Sequence, residues 1–400
     1  EAGALLYELG KPEKTKPLVP QEVIKPLDAE LLAEALQPGG EFDKHFPEFE
    51  HRSQQVQMLQ AVAQALSEGK HLMVEAGTGI GKSLAYLIPA AYWALQNGER
   101  VVISTNTIAL QDQLIHKDIP DMMTALNLQI NASVLKGRSN YLCPRRLTLM
   151  RRRKLENVDE LRVLAKVLVW LQSSTSGDRN EINLNGSAES LVWSRLSAED
   201  EGCKLEVCLK RTGGRCPFYK ARMAAESAHI LVVNHALLLA DTAAENRILP
   251  EYNYLIVDEA HHLESATTEA MSFRLRAPDV TRLVREIGST EQGILGQLLS
   301  VAKPLLKPSD LSALTVAIER ATDQAFRLDN AMTAYFKALD FVLEELREGK
   351  PLGTYPQQAR ILPATRTLPC WLDVEITWEQ AKANLEALLE ALKTVREILR

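Results

Sequence analysis

Apolar positions along this chain switch between two periods, and the switching predicts a parallel sheet covered by helices. Ser53 to Leu66 repeats at the three-to-four spacing of an amphipathic helix. Short apolar runs at 71–74, 100–104, 132–135, 229–233 and 254–257 have the length of buried strands. Helical patterns at 82–97 and 107–116 separate the first three runs, and a short helix separates the last two. Strands alternating with helices in this way predict an α/β fold with a parallel sheet. Residues 1–50 have a Lys/Pro/Gly-rich linker composition, with one helical pattern near 28–36. From 264 onward the pattern is almost wholly helical, with a Pro/Gly break at Gly349–Pro356. Trp378, Ala381, Leu385, Leu388, Leu389, Leu392, Val395 and Leu399 form a stripe that predicts bundle packing, with a coiled coil as the alternative.

A chain of 400 residues has room for two or three domains with proper cores. Its net charge of −6 means that any nucleic-acid contact must come from local basic patches. No apolar run approaches the roughly 18 residues of a membrane span, and no signal-peptide pattern opens the chain. Five cysteines in such a length suit a reducing compartment, so a cytoplasmic location is expected. The chain begins without Met and ends at Arg400 inside a helical pattern, as expected of a piece of a longer polypeptide.

Chemistry enters directly after the first strand-like run. Glu75 to Ser83 reads Glu-Ala-Gly-Thr-Gly-Ile-Gly-Lys-Ser and opens the helical pattern of 82–97. Gly77, Gly79 and Gly81 permit positive φ, and with Thr78 and Ile80 they form a loop whose N–H groups can surround a phosphate. The positive helix end adds to that preference for an anion. Lys82 is placed to reach the β/γ-phosphates of a nucleoside triphosphate, and the Ser83 hydroxyl to help hold Mg²⁺. The full loop pattern has Gly where this chain has Ala76. A second half-site follows Tyr254-Leu255-Ile256-Val257, where Asp258-Glu259-Ala260-His261 stands at a strand's C-terminal end, facing the ligand crevice of an open α/β sheet. Asp258 suits Mg²⁺ through water, Glu259 suits the attacking water, and His261 is placed to couple the site to a neighbouring domain.

Between these half-sites lie four of the five cysteines: Cys143, Cys203, Cys208 and Cys216. Their spacing leaves a tetrahedral Zn²⁺ and a [4Fe–4S] cluster both open. Cys370 lies apart and reads as a small core residue. The polar stretch Ser173–Asn185 reads as a surface loop. Arg145-Arg146 and Arg151-Arg152-Arg153-Lys154 share one helical pattern, either a solvated face or a groove for single-stranded DNA.

The two half-sites together resemble superfamily 2 helicases, in which Ala at the loop's first position is usual. Arg52-x-x-Gln55-x-x-Met58 resembles the helicase segment that reads the adenine edge. Ser104-Thr105-Asn106-Thr107 and Leu110-Gln111-Asp112-Gln113-Leu114 resemble the motif that grips the nucleic-acid backbone. With the cysteines between the half-sites, and Val232-Val233-Asn234-His235-Ala236-Leu237-Leu238 after them, the chain is similar to the DinG/XPD family, and to the bacterial DinG form in particular. The similarity covers about 50 to 265.

That resemblance implies a P-loop (RecA-like) parallel-sheet domain at 51–140 and 220–263. It also implies a mainly helical iron–sulfur insert at 141–219 and a helical arch domain at 264–400. Implied cofactors are ATP, Mg²⁺ and a [4Fe–4S] cluster on Cys143, Cys203, Cys208 and Cys216. The implied activity is ATP-dependent 5′ to 3′ translocation on single-stranded DNA and unwinding of forked duplex in repair or replication, by a monomer. Helicases take an arginine finger from a second motor domain, so this piece alone is not expected to unwind DNA. Some relatives carry a DnaQ-type exonuclease upstream, but residues 1–50 show none of its carboxylates. A different class stays open, an ATP-gated DNA-binding or structural module whose cysteines form a redox sensor or zinc staple.

Overall fold

The computed structural model describes residues 16–77, 79–152, 155, 157–199, 203, 206, 208, 212, 215–273, 275–349 and 358–399. It falls into two compact units divided between Ser272 and Phe273.

The first unit opens with α1 (Ala29–Glu34), whose N-terminus is capped by the Asp28 carboxylate accepting from the Leu31 N–H at 3.1 Å. Then come α2 (Glu41–His45) and α3 (Ser53–Glu68), the latter stopped by Gly69 in the left-handed conformation. Leu36 and Phe42 are fully buried in the same core as Leu59 of α3, so the stretch from α1 to Phe49 belongs to the domain and is not a linker. Next are α4 (Lys82–Asn97), β1 (Val101–Thr105) and α5 (Ile108–Gln113). A single π-helical turn, Leu114–Asp118, joins α5 to α6 (Ile119–Ala125), and β2 (Ala132–Val134) follows. The helix expected over 107–116 is therefore divided by that turn.

An insert then departs from the sheet. Its helices α7 (Pro144–Arg152), α8 (Val158–Trp170) and α9 (Gly186–Leu196) close over their own core of Leu147, Val163, Val167, Trp193 and Leu196. The chain returns through α10 (Pro217–Glu226) to β3 (Ile230–Asn234), α11 (His235–Ala243), β4 (Tyr254–Val257) and α12 (Leu263–Ala270). Among the described residues the sheet has the order β2-β3-β1-β4, parallel throughout. β1 is buried along its whole length, as a parallel strand covered on both faces should be.

Three expectations need correction. The run 71–74 is no strand: Leu72, Met73 and Val74 are exposed, Met73 by 97%. Apolar residues become a strand only when a neighbouring backbone supplies hydrogen bonds, and none of the described strands pairs with this run. The polar stretch 173–185 is no loose surface loop either. Its Ser174 and Asp178 are buried, and Glu181 accepts from the Trp170 indole at 3.1 Å and the Ser174 hydroxyl at 2.5 Å. Such a segment can be polar and packed at once because its polar groups satisfy one another. Cys370 is only partly buried and caps a helix rather than filling a core.

The second unit contains α13 (Ala277–Ile287), α14 (Gly293–Ala302), α15 (Pro308–Leu346) and α16 (Trp371–Ile398). Leu314, Ile318 and Ala321 of α15 pack with Ala391 and Val395 of α16, whereas Ala325, Leu328 and Met332 pack with Ala381 and Leu388. Rising numbers on one helix meet falling numbers on the other, so the pair is antiparallel. The α15 seam alternates steps of four and three residues, and Val374, Ala381, Leu388 and Val395 recur at every seventh. That is the period of a coiled coil, with α13 and α14 packed against it as in a bundle. Among the described residues no helix is long and apolar enough to cross a membrane. The expected bend at Gly349–Pro356 lies outside the described residues apart from Gly349. Leu388→Ala is expected to destabilise this unit by about 2–4 kcal/mol through loss of buried apolar volume, measurable by urea denaturation.

Candidate nucleotide site and the cysteine pocket

Gly79 and Gly81 both take positive φ, 82° and 83°, so the backbone of the Gly-rich loop curls as Cβ-bearing residues rarely can. At Gly81 the space is also taken: an added Cβ would stand 2.3 Å from Nε2 of Gln55. That amide donates to the Gly81 carbonyl at 2.8 Å, and the Arg52 guanidinium donates to the Gly79 carbonyl and pairs with Glu50 at 3.0 Å. Arg52 and Gln55, expected beside an adenine, thus also brace the loop from α3. Ala76, Gly77 and Ile80 lie in the same loop, and Thr78 lies outside the described residues. Phe42, Phe46, Phe49, Arg52, Gln55, Gly81, Leu84 and Asp118 line an adjoining cavity of about 390 Å³, large enough for a nucleobase.

The other half-site comes to this loop from the far end of the chain. Lys82 donates to Glu259 at 2.7 Å across 177 residues of sequence. The same pair holds the Glu259 carboxyl below the usual carboxylate range, with His261 adding to the effect. His261 Nδ1 lies 3.5 Å from the other Glu259 oxygen, and its ring is largely exposed. Asp258 is held twice: its N–H donates to the Ser104 carbonyl at 2.8 Å, and a carboxylate oxygen accepts from the Tyr86 hydroxyl at 3.2 Å. Ser83 lies beside both Tyr86 and Asp118. Burial pushes the Asp118 carboxyl up, with the Ser83 hydroxyl and the Gln113 amide acting against it. The Tyr86 hydroxyl is pushed well up, first by burial and then by Asp258.

Sequence reasoning missed Tyr86, Asp118 and the three Phe residues of the cavity. Tyr86 had a readable signal, since it stands one turn after Lys82 on the same helix face. Asp118 had none, because its direction comes from the π-turn, a feature common at functional sites but invisible in periodicity.

Cys143, Cys208 and Cys216 are buried together with Tyr141, Phe218 and Tyr219, and Cys203 packs against them. All four thiols are free. Burial first, then the neighbouring thiols, pushes Cys208 up to about 11 and Cys216 up to about 12. Cys208 and Cys216 so shifted stay neutral thiols unless a bound cation draws out their protons, and a group held by thiolates would supply that charge. Among the described residues no three His, Cys, Asp or Glu side chains stand close enough to hold a metal ion.

A buried cation ties this insert to the sheet. Lys136, 2% exposed, donates to Asp112 of α5 at 2.9 Å and to Asp178 of the insert at 2.7 Å. Asn180 donates to the second Asp112 oxygen at 2.9 Å, and the Tyr141 hydroxyl accepts from the Lys136 N–H at 3.0 Å. The arginines at Arg151 and Arg152 are exposed at the end of α7, whose Leu147 and Met150 face the insert core. Arg153 and Lys154 lie outside the described residues.

The DEAD/DEAH box helicase family profile matches residues 54–157, and a second one, DEAD_2, matches residues 187–280. Over 254 residues, 63% of this chain and 27% of the relative, the chain is 35% identical to the 3′-5′ exonuclease DinG of Bacillus subtilis. It is 37% identical to the ATP-dependent helicase DinG of Mycobacterium tuberculosis over 59% of this chain and 38% of that one. Over the spans those two profiles match, the chain is similar to DinG-like superfamily 2 helicases. Another relative, the ATP-dependent DNA helicase YoaA of Escherichia coli, is 35% identical over 62% of this chain and 39% of that protein. This DinG-like chain therefore spans 27–39% of these relatives' lengths. The first profile's span takes in the Gly-rich loop, and the second's takes in Asp258 and Glu259. Lys136→Met is expected to cost about 3 kcal/mol, because it leaves the buried Asp178 carboxylate and the half-buried Asp112 uncompensated. Adding Asp112→Asn and Asp178→Asn should recover part of that loss in the same thermal melt.

Proposed function

We propose that this chain is the ATP-binding motor segment of an ATP-dependent DNA helicase that moves 5′ to 3′ on single-stranded DNA. The observation that carries this reading is the 2.7 Å contact between Lys82 and Glu259, which joins the two halves of a hydrolysis site. Lys82 takes the β/γ-phosphates, and the bending loop around Gly79 and Gly81 offers its N–H groups to them. Ser83 and Asp258 hold Mg²⁺. A phosphate at Lys82 competes with Glu259 for that ammonium, which releases the carboxylate to orient and deprotonate the attacking water. Glu259 enters that step ionised, because Lys82 first and His261 after it hold its carboxyl down until the phosphate arrives. Gln55 and Arg52 contact the adenine edge while bracing the loop, and His261 couples the site to a neighbouring domain.

Single-stranded DNA and forked duplex are the proposed partners, met by the end of β1, by α5 and by the basic end of α7. The cellular context is cytoplasmic, in repair or replication, and the working protein is a monomer. Cys143, Cys203, Cys208 and Cys216 are assigned to a [4Fe–4S] cluster, which when bound supplies the positive charge that four thiolates need and ties their segments together. The likeness to the DinG and YoaA helicases supports the DNA helicase reading.

In the full-length protein, ATPase activity stimulated by single-stranded DNA is expected, and Lys82→Ala should lower it on the order of 10²-fold or more. DNA binding without any stimulated ATPase would leave the ATP-gated binding module as the better reading. Protein purified without oxygen is expected to be brown and to contain iron, with both lost in Cys208→Ser. A colourless protein loaded with zinc would replace the iron assignment by a zinc staple.

A further inference from the structure

Asn234-His235, at the end of β3, is a motif to which the hydrolysis site assigns no task. Its geometry is nevertheless specific. Asn234 caps α11 by accepting from the Leu237 N–H at 2.9 Å, which leaves His235 pointing inward at the C-terminal edge of the sheet. His235 is 1% exposed, and its Nδ1 lies 2.7 Å from the Ser104 hydroxyl. Ser104 is itself fully buried, and its carbonyl accepts the Asp258 N–H at 2.8 Å. The imidazole interacts with the backbone of Asp258 and Glu259, but its buried Nε2 makes no well-formed hydrogen bond among the described residues. A buried polar atom without a well-formed bond is costly and calls for an explanation.

The neighbouring backbone is itself held in an uncommon conformation. Glu259 adopts a φ of 55°, a left-handed conformation that residues with a side chain seldom take. Its side chain is drawn by Lys82, so a phosphate that captures Lys82 removes the pull holding this turn. On the other side, Ser104 leads straight into Thr105, Asn106 and Thr107, and the Thr107 hydroxyl caps α5 through the Leu110 N–H at 3.2 Å.

We propose that His235 is a positioning residue that relays the state of the Asp258–Glu259 turn to the Ser104–Thr107 segment. When phosphate takes Lys82, the released turn relaxes and presents a backbone partner to Nε2. Nδ1 then carries the shift of the ring to Ser104, and through it to the helix that follows. The inference rests on the reading above, in which ATP binds the loop and Ser104–Thr107 meets the DNA backbone. It adds a named side chain through which the two sites bias each other.

The test is linkage in the full-length protein: affinity for a fluorescent single-stranded oligonucleotide, with and without Mg²⁺ and a non-hydrolysable ATP analogue. The wild type is expected to change its DNA affinity about fivefold or more on adding the analogue, with the reciprocal change in analogue affinity. His235→Asn keeps an amide where Nδ1 sits but has no atom at Nε2. It should reduce the shift to about twofold or less while the two separate affinities stay close to those of the wild type. Ser104→Ala removes the other end of the relay and should likewise reduce the shift on adding the analogue, whatever it does to DNA affinity itself, and the double variant should lose no more of the shift than either single one. An undiminished shift in His235→Asn overturns the relay, as does additive loss in the double variant. A wild type that binds both ligands with no mutual effect overturns it too. A wild type that does not bind single-stranded DNA at all overturns the proposed function instead, which separates the two failures.

Discussion

Strand β1 is hydrogen-bonded in parallel on both sides, and its register decides where the chemistry lies. Ser104 stands opposite Val233 on β3 and Val257 on β4, and Thr105 stands opposite Asn234. Three segments distant in sequence therefore leave the sheet at one edge and at one height: 104–107, 234–235 and 258–259. A slip of one residue would turn Ser104 to the opposite face and separate its hydroxyl from His235. Parallel strands need long crossovers, and those crossovers are the helices that bury β1 and β3. The ion pair between Lys82 and Glu259 follows from this arrangement, since α4 starts where β4 ends.

A buried charge helps join the insert to that framework. Lys136 leaves β2, is almost wholly buried, and shares its ammonium between Asp112 of the motor and Asp178 of the insert. Buried ion pairs give little net stability, but they tolerate few alternative geometries, so they can specify a relative placement. Tyr141, which accepts from the Lys136 backbone, also belongs to the aromatic wall around the thiols and packs on Phe218 with ring centroids 5.8 Å apart. Arg138 stacks over the same Phe218 ring at 5.2 Å, adding positive charge near the pocket. The cysteine pocket and α5 are thus connected through a few named side chains.

Much of this was legible along the chain. The helix over 82–97 and the strand over 254–257 have the bounds their apolar patterns predicted, because both are bordered by unambiguous signals: Gly81 and Gly98 for the helix, Asp258 for the strand. Lys82, Ser83, Asp258 and Glu259 could be named because their residue types are demanded by phosphate chemistry. The run 71–74 could not be judged the same way, since a strand exists only through its neighbours and these residues have no ladder among the described ones. Ser173–Asn185 was misread for a related reason: polarity predicts exposure only when the partners of the polar groups are unknown. The long hairpin of α15 and α16 showed its stripe in sequence, but whether the stripe meets one helix or several is a question of contact.

The linear sequence by itself determined the loop, the carboxylate pair, the four thiols and the periodicity that makes an α/β domain followed by helices. Each of these depends on residue type and local spacing, which are properties of the chain alone. Only the tertiary structure decided that Tyr86 and Asp118 flank Ser83, that Lys136 is buried between two carboxylates, and that His235 has one nitrogen satisfied and one not. Those facts depend on strand register and on how segments from tens of residues to more than a hundred residues apart are packed. Hydrogen bonds and burial act across space, and no local pattern encodes which distant group will be found there.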